Sequence, residues 1–482
     1  MSAVLEFLED VWRFLEDIID RFGDDPEKLR GHLAAFGDES DIISSDNTGF
    51  SVNGKKNLSN KLSHSNMLVV APTGSGKSAT VIFPTCYTVK GASLIINDTG
   101  ECWEKLGGFF ESEGYEVKVL DLNNCMVSCG YNPLNPDRIK NASGRYKVAS
   151  MLVDSSLGTQ SKDPYWSLSA GNLAGLTFNI LATQAKEFQT LYNARMLLNA
   201  IAANPEGVKK LFADHASDED YAEFESFMAL DERQQGSIIS TAKAALQLMT
   251  DDHIAKITSF DTLDLASFRT KPTVLFVRTS IGNARYHNPL VSLFFQQIIT
   301  ELLERFPKDN ERDIYLLLEE APTLRIPVLP LAMANCRKAK FGILLVCQSE
   351  QQLVTNFGHS DAESIMANAV TKLYMPGMPI ETAQKLEHIL GKTEIVVEDE
   401  NDENKKRKET VSLMTADTIR SLPPNKAILL SGSNRAAIVK LYPYYKNPRF
   451  RRYSEMPPPK QTCQLPFFTI PTLPLKEPDD EA

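Results

Sequence analysis

A chain of 482 residues is long enough to bury more than one core, and 43% hydrophobic against 23% charged residues is the balance of ordinary globular protein. The formal net charge of −11 excludes a protein that coats nucleic acid with its whole surface, so any such contact needs a local basic feature. Seven cysteines, an odd number scattered along the chain, fit a reducing compartment, and the absence of a long apolar run or signal-peptide pattern predicts a soluble protein.

Residues 1–36 form an N-terminal segment in which Val4, Leu5, Leu8, Val11, Trp12, Leu15, Ile18, Ile19 and Phe22 fall at helical spacing. Acidic residues outnumber arginine on the opposite face, which anionic lipid would repel. Packing on its own domain is the expected role, with docking to a separate membrane subunit as the alternative. Residues 37–65 read as loop with short strands. From residue 66, short β-rich runs alternate with amphipathic helices. The strand candidates are Met67–Ala71, Ser93–Asn97, Glu116–Leu120, Thr273–Arg278, Ile314–Leu318, Phe341–Cys347 and Val370–Met375. Near-continuous apolar runs with helices between them predict an α/β fold, a mostly parallel sheet covered on both faces. Between the third and fourth runs, residues 145–262 contain only helical patterns (Asn172–Ala185, Leu191–Ala203, Tyr221–Met228, Ser237–Met249) and read as an inserted all-α domain.

The first strand feeds a phosphate loop, Leu68-Val-Val-Ala-Pro-Thr-Gly-Ser-Gly-Lys-Ser78, with Ala71 where the strict pattern opens on glycine. Thr73, Gly74, Ser75, Gly76, Lys77, Ser78 and Ala79 are the expected nucleotide contacts. The glycines let backbone N–H groups surround a phosphate, Lys77 reaches the β/γ oxygens, and the Ser78 hydroxyl holds Mg²⁺. Ile314-Tyr-Leu-Leu-Leu-Glu-Glu320 is a buried strand ending in two carboxylates, where such sheets place their sites. Glu319 takes the metal-side role, through water, and Glu320 polarises the attacking water. The strand Phe341–Cys347 ends in Gln348, a neutral amide suited to sensing a γ-phosphate. Ahead of it stands Arg337, a cation suited to reaching a neighbouring subunit's nucleotide. ATP and Mg²⁺ are the expected cofactors.

Residues 398–409 run acidic and then basic and read as a solvated loop. Arg449, Arg451 and Arg452 beside Tyr444, Tyr445 and Phe450 read as a solvated stretch, or as a small basic-aromatic patch for single-stranded DNA. Residues 454–482 form a Pro-rich acidic tail without a fold of its own, in which Phe467, Phe468, Ile470 and Leu473 are possible anchors. Cys125 and Cys129 have no second pair, and His64 reads as structural.

Together these residues resemble the type IV coupling proteins, the TraG/TraD class of conjugation and type IV secretion ATPases, over about residues 64–445. Beyond the phosphate loop, the resemblance rests on Ile95-Ile-Asn-Asp-Thr-Gly-Glu101, Gly130-Tyr-Asn-Pro-Leu134, Asp163-Pro-Tyr-Trp166 with Ser169-Ala170, and Leu317-Leu-Glu-Glu-Ala-Pro-Thr-Leu324. Val346-Cys-Gln-Ser-Glu-Gln-Gln-Leu353 with Phe357-Gly358, and the closing elements Ala416–Pro423 and Leu441–Tyr445, complete it. It implies a RecA-like P-loop NTPase built from 37–144 and 263–453, with the all-α domain between and assembly into a homo-hexamer. It also implies delivery of relaxase-bound single-stranded DNA, or of protein substrates, to type IV secretion channel components. The expected location is cytoplasmic, peripherally associated with the inner membrane. Glu319 departs from the family's usual Asp; one extra methylene moves a carboxylate by about 1.5 Å, and ~1 Å can matter at a catalytic site. A nucleotide-switched substrate receptor with little hydrolysis therefore stays open, as does a DNA translocase of the FtsK/HerA type.

Overall fold

The computed structural model describes residues 33–475 apart from 99, 158–163, 281, 400–401, 462–464 and 468, and its core is one nine-stranded sheet. The amphipathic helix expected over residues 1–22 lies outside the described residues, as do Asp163 and Phe468. Strands β1 (Met67–Val70), β2 (Ala92–Asp98), β3 (Glu116–Asp121), β4 (Thr273–Arg278), β5 (Asp313–Leu318), β6 (Phe341–Cys347) and β7 (Thr371–Tyr374) arise where the apolar runs predict them. The sheet order is β11-β10-β7-β1-β6-β5-β2-β4-β3, closed at one end by β10 (Lys426–Ser431) and β11 (Ala437–Lys440). Every pairing from β3 to β7 is parallel, while β10 runs antiparallel to β7 and β11 antiparallel to β10. The closing motifs Ala416–Pro423 and Leu441–Tyr445 flank these two strands rather than forming them. Ala416–Arg420 is a short helix, because the Thr415 side chain caps it by accepting from the Thr418 N–H.

All four residues of β1 are buried, and their side chains divide between two cores. Leu68 and Val70 face a core shared with the helical section; Met67 and Val69 face one shared with α1 (Phe83–Thr88) and α2 (Cys102–Ser112). Continuous apolar runs are therefore the signature of a strand covered on both sides.

Between β3 and β4 the described residues form no strand. Seven α-helices fill the interval: α3 (Ala142–Leu157), α4 (Pro164–Ala182), α5 (Leu191–Ala203), α6 (Pro205–His215), α7 (Asp218–Met228), α8 (Glu232–Ala245) and α9 (Asp252–Ile257). Their starts are written locally. Thr190, Asn204, Ser217, Asp231 and Asp251 each accept a hydrogen bond from an N–H two or three residues on, and Pro205 occupies the first turn of α6. Ala149, Leu173, Phe178 and Leu198 join the core beneath the sheet, and Phe212 stacks on Phe224 at 4.0 Å between centroids. The long α10 (Ala284–Glu304) runs between sheet and helices with Leu290, Phe294 and Ile298 buried.

Two expectations for the C-terminal region are corrected. The described residues of 398–409, namely 398, 399 and 402–409, belong to two antiparallel strands, β8 (Lys392–Asp399) and β9 (Asp402–Ser412), not to a loop. Glu398 stands opposite Lys406 in the pairing, which shifts register between Glu398 and Asp399, Glu394 and Lys408 meet at 3.3 Å, and Thr393-Glu-Ile-Val-Val397 supplies β-branched residues. Residues 449–452 lie on a helix, Pro448–Ser454, rather than an irregular stretch; Arg449, Arg451 and Arg452 are solvent-exposed as expected, while Phe450 and Tyr453 pack on Tyr87, and Tyr453 on Phe109. Beyond it the described tail residues form no regular structure but are fixed to the rest of the chain. Pro457 crosses against Gly108, Phe467 meets Phe260 edge-on, Ile470 is buried, and Asn193 on α5 grips the backbone. The Asn193 amide donates to the Pro471 carbonyl (2.9 Å) and accepts from the Leu473 N–H (2.8 Å).

Asn193 is 1% exposed, so its loss leaves polar backbone groups without partners. Asn193→Ala is expected to lower stability by about 1–3 kcal/mol and to open the tail near residue 470 to limited proteolysis at native temperature. An unchanged cleavage pattern would show that apolar packing alone holds the tail.

Candidate nucleotide site

The loop after β1 is shaped by its ends. The Ala71 N–H continues the β1–β6 pairing onto the Cys347 carbonyl (2.9 Å), and the Thr80 N–H and hydroxyl both return to the Gly76 carbonyl (2.9 and 2.8 Å). Gly74 (φ +80°) and Gly76 (φ +84°) occupy the left-handed region, and a Cβ at either would meet nothing within 4 Å. Backbone conformation rather than space therefore demands glycine there. The helix opens as a π-helical turn, Ser78–Ile82, with the Phe83 N–H returning to the Ser78 carbonyl. Pro84 has no N–H to offer the Thr80 carbonyl, which accounts for the wider turn. No side chain caps the start of this helix, so its first N–H groups are available to an anion.

Strand β5 delivers Glu319 and Glu320 beside that loop. The Ser78 hydroxyl donates to Glu319 Oε1 (2.5 Å), and Lys77 Nζ lies 3.3 Å from Glu320 Oε1. Glu320 has φ +55°, an uncommon conformation for a residue with a side chain, stabilised as its carbonyl accepts from both the N–H and the hydroxyl of Thr323. On the other side, Asn97 at the end of β2 donates its amide to the Glu319 carbonyl (2.9 Å). Burial pushes the Glu319 carboxyl above the usual carboxylate range; the Ser78 hydroxyl and Lys77 pull it back, while Asp98 and Glu320 add to the rise. The longer side chain of Glu319 has not carried its carboxylate out of reach, since it touches the Ser78 hydroxyl directly.

Because β1, β6 and β5 are adjacent and parallel, Lys77, Glu320 and Gln348 converge on one cleft of about 460 Å³. The Gln348 N–H is held by Gln352 Oε1 (3.0 Å). Thr73, Ser75 and Ala79 lie on the loop and the first turn as expected. Arg337 does not join them: it is exposed in the turn before β6, so the length of that strand, ~20 Å, separates it from its own chain's Lys77. His64 pairs with Asp313 at the start of β5, remote from the cleft.

Sequence reasoning assigned no role to two groups, one of them inside the quoted Ile95–Glu101 segment. Asp98 is enclosed at the end of β2, where its carboxylate accepts from the N–H groups of Gly100, Cys102 and Trp103 and faces Arg278 at 3.4 Å. An Asp two residues before a Gly that opens a helix was the available signal. Arg325 also lines the cleft and had no motif to mark it. The hydroxyl–carboxylate pair of Ser78 and Glu319 is a hard-oxygen donor set that fits Mg²⁺, and the open loop with Lys77 fits a polyphosphate.

The comparisons with known proteins agree with this geometry. A family described as type IV secretory system conjugative DNA transfer matches residues 36–466. The conjugal transfer protein TraG of Escherichia coli is 24% identical over 457 residues, covering 83% of this chain and 70% of that protein. VirD4 of Agrobacterium fabrum is 22% identical over 407 residues, covering 80% of this chain and 58% of VirD4, so the chain spans little more than half of that relative. Among solved structures, the unbound conjugative coupling protein TrwBΔN70 superposes with a TM-score of 0.67 at 18% identity over 85% of this chain and 93% of its own. TrwB in complex with ADP and Mg²⁺ gives 0.67 at 17% identity over the same shares. Identities this low establish the fold, a RecA-like P-loop architecture.

The raised pKa of Glu319 has a readable sign. Its cost to folding accumulates as pH rises from the ordinary carboxylate value, where the unfolded chain ionises first, to the raised folded-state value and is complete above it; below the ordinary value the group is neutral in folded and unfolded chains, and the cost is absent. Glu319→Gln is therefore expected to raise the melting temperature of nucleotide-free protein at neutral pH, with a gain that shrinks toward about pH 4. The same variant should lose Mg²⁺-dependent nucleotide affinity. A gain that does not change with pH would contradict burial as the cause.

Proposed function

The chain belongs to the type IV secretory system conjugative DNA transfer family, as a nucleotide-site coupling protein, and from that premise we propose that it hydrolyses ATP to deliver cargo to a secretion channel. The observation that supports this reading is that three adjacent parallel strands bring Lys77, Glu320 and Gln348 to one cleft, with the Ser78–Glu319 pair on the same loop and strand end. Lys77 binds the β/γ-phosphate oxygens, leaving its contact with Glu320. Ser78 and Glu319 would hold Mg²⁺, which supplies charge neutralisation at the phosphates when bound. Glu320, freed from Lys77, orients the attacking water and accepts its proton, and Gln348 senses the terminal phosphate.

The cargo in this reading is single-stranded DNA carried by a relaxase, or a protein substrate, handed to type IV secretion channel components. Among the described residues no helix is long and apolar enough to cross a membrane. Peripheral association with the inner membrane through a separate subunit is part of the proposal. So is a homo-hexamer, in which Arg337, set on the far end of β6 from its own Lys77, reaches the nucleotide of a neighbour. A second reading, a nucleotide-switched receptor with little turnover, draws on the burial of the Glu319 charge.

Steady-state ATP hydrolysis with and without single-stranded DNA separates the two. The motor reading predicts DNA-stimulated turnover whose specific activity rises with enzyme concentration and collapses in Arg337→Ala. Lys77→Ala should lose nucleotide binding, while Glu320→Gln should bind normally and turn over on the order of 10²–10⁴ times more slowly. Tight ATP binding without turnover, under conditions where the protein assembles, would sink the motor and leave the receptor.

A further inference from the structure

Arg325 follows the two catalytic-strand carboxylates by a few residues and stands on an unusually well-held segment. Three side chains spaced four apart on α10 hold its backbone: Asn288 donates to the Thr323 carbonyl (2.9 Å), Ser292 accepts from the Arg325 N–H (3.0 Å), and Gln296 accepts from the Val328 N–H (2.8 Å). From the far side, Asn356 on α11 (Glu350–Phe357) donates to the Leu324 carbonyl (2.8 Å). Every hydrogen bond that fixes this mount leaves the guanidinium out of it.

The guanidinium itself does two things. It lines the cleft with Lys77, Glu320 and Gln348, and its Nη1 donates to the Asp154 carbonyl in the last turn of α3 (3.1 Å). That carbonyl is among those a helix end leaves without an intrahelical partner, and a cation suits the negative end of the helix. One N–H is thereby used of the five a guanidinium carries, and among the described residues no carboxylate forms an ion pair with Arg325. Among the described residues, the other charged side chains that line the cleft, Lys77 and Glu320, pair with each other, which leaves Arg325 as the charge without an ionic partner there.

We propose that Arg325 is a positioning residue that distinguishes a nucleoside triphosphate from a diphosphate and carries that distinction to the end of α3. It rests on the nucleotide-site reading given above and names the regulation of that same site. A terminal phosphate in the cleft offers the remaining guanidinium donors charged acceptors, while Nη1 stays on the Asp154 carbonyl. A diphosphate ends short of that part of the cleft and leaves only the helix contact. The planar fork of Arg joins two acceptors in fixed geometry, which a Lys ammonium on the same mount does less well. The helical section thus gains a contact whose strength depends on the bound nucleotide, the differential interaction any such coupling needs.

The test uses the full chain with Mg²⁺ and fluorescent forms of ADP and of a non-hydrolysable ATP analogue, comparing wild type, Arg325→Ala, Arg325→Lys and Lys77→Ala. Arg325→Ala should weaken the triphosphate analogue roughly tenfold while leaving ADP within about twofold, with partial recovery in Arg325→Lys. Amide exchange supplies the second readout. In wild type the last turn of α3 should be better protected with the analogue than with ADP, and in Arg325→Ala the two should coincide. Equal loss for both nucleotides, or none for either, would overturn the proposal and leave Arg325 as a cap for α3. Lys77→Ala should lose both nucleotides; if wild type binds neither, the nucleotide-site reading fails first and this one with it.

Discussion

Two carboxylates at the end of one buried strand repel each other, and the way Glu319 and Glu320 are neutralised organises the whole site. Ser78 gives a hydroxyl to one, Lys77 an ammonium to the other, and the backbone of Glu320 turns left-handed so that the two need not stand on one face. Both neutralising groups come from the phosphate loop. Loop and strand are therefore held together by these contacts, and in the proposed nucleotide reading a phosphate would compete with Glu320 for Lys77. Burial sharpens this: a carboxyl whose pKa is raised by enclosure favours any event that brings a cation to it.

Most of the sheet was legible because strands covered on both faces leave long apolar runs, and β4 and β6 begin and end where those runs do. The phosphate loop and the paired carboxylates were legible for a different reason: the chemistry restricts residue type at each position. Arg325 was not, since its position depends on a mount built from Asn288, Ser292 and Gln296, and no spacing rule connects those residues to residues 323–328. The strand pair β8–β9 was missed because charge was weighed alone. Opposite charges such as Glu398 and Lys406 on facing strands favour pairing across them, whereas the same composition in one sign would not.

The tail carries the same lesson at longer range. The described tail residues form no regular structure, as the proline-rich composition predicts, yet they lie on the protein surface from α2 to α5, tied by side chains such as Asn193 far away in sequence. Contacts of that kind are specific without being periodic. The tail spans the nucleotide-binding sheet and the helical section, so relative movement of the two has to accommodate it.

The position of β1 has a consequence for how the protein is made. Its two backbone neighbours in the sheet, β6 and β7, are both encoded far downstream: Met67 pairs with Leu344 on one side and Thr371 on the other. At ordinary rates of synthesis, on the order of tens of seconds pass between the emergence of the phosphate loop and that of its last partner strand. During that interval the seven helices between β3 and β4, rich in local contacts and caps, can assemble, while an apolar strand destined for the centre of the sheet waits unpaired. A nascent or truncated chain that ends before residue 374 lacks the last strand flanking β1. On the ribosome, the strand that leads into the phosphate loop therefore gains both of its sheet neighbours only late in synthesis.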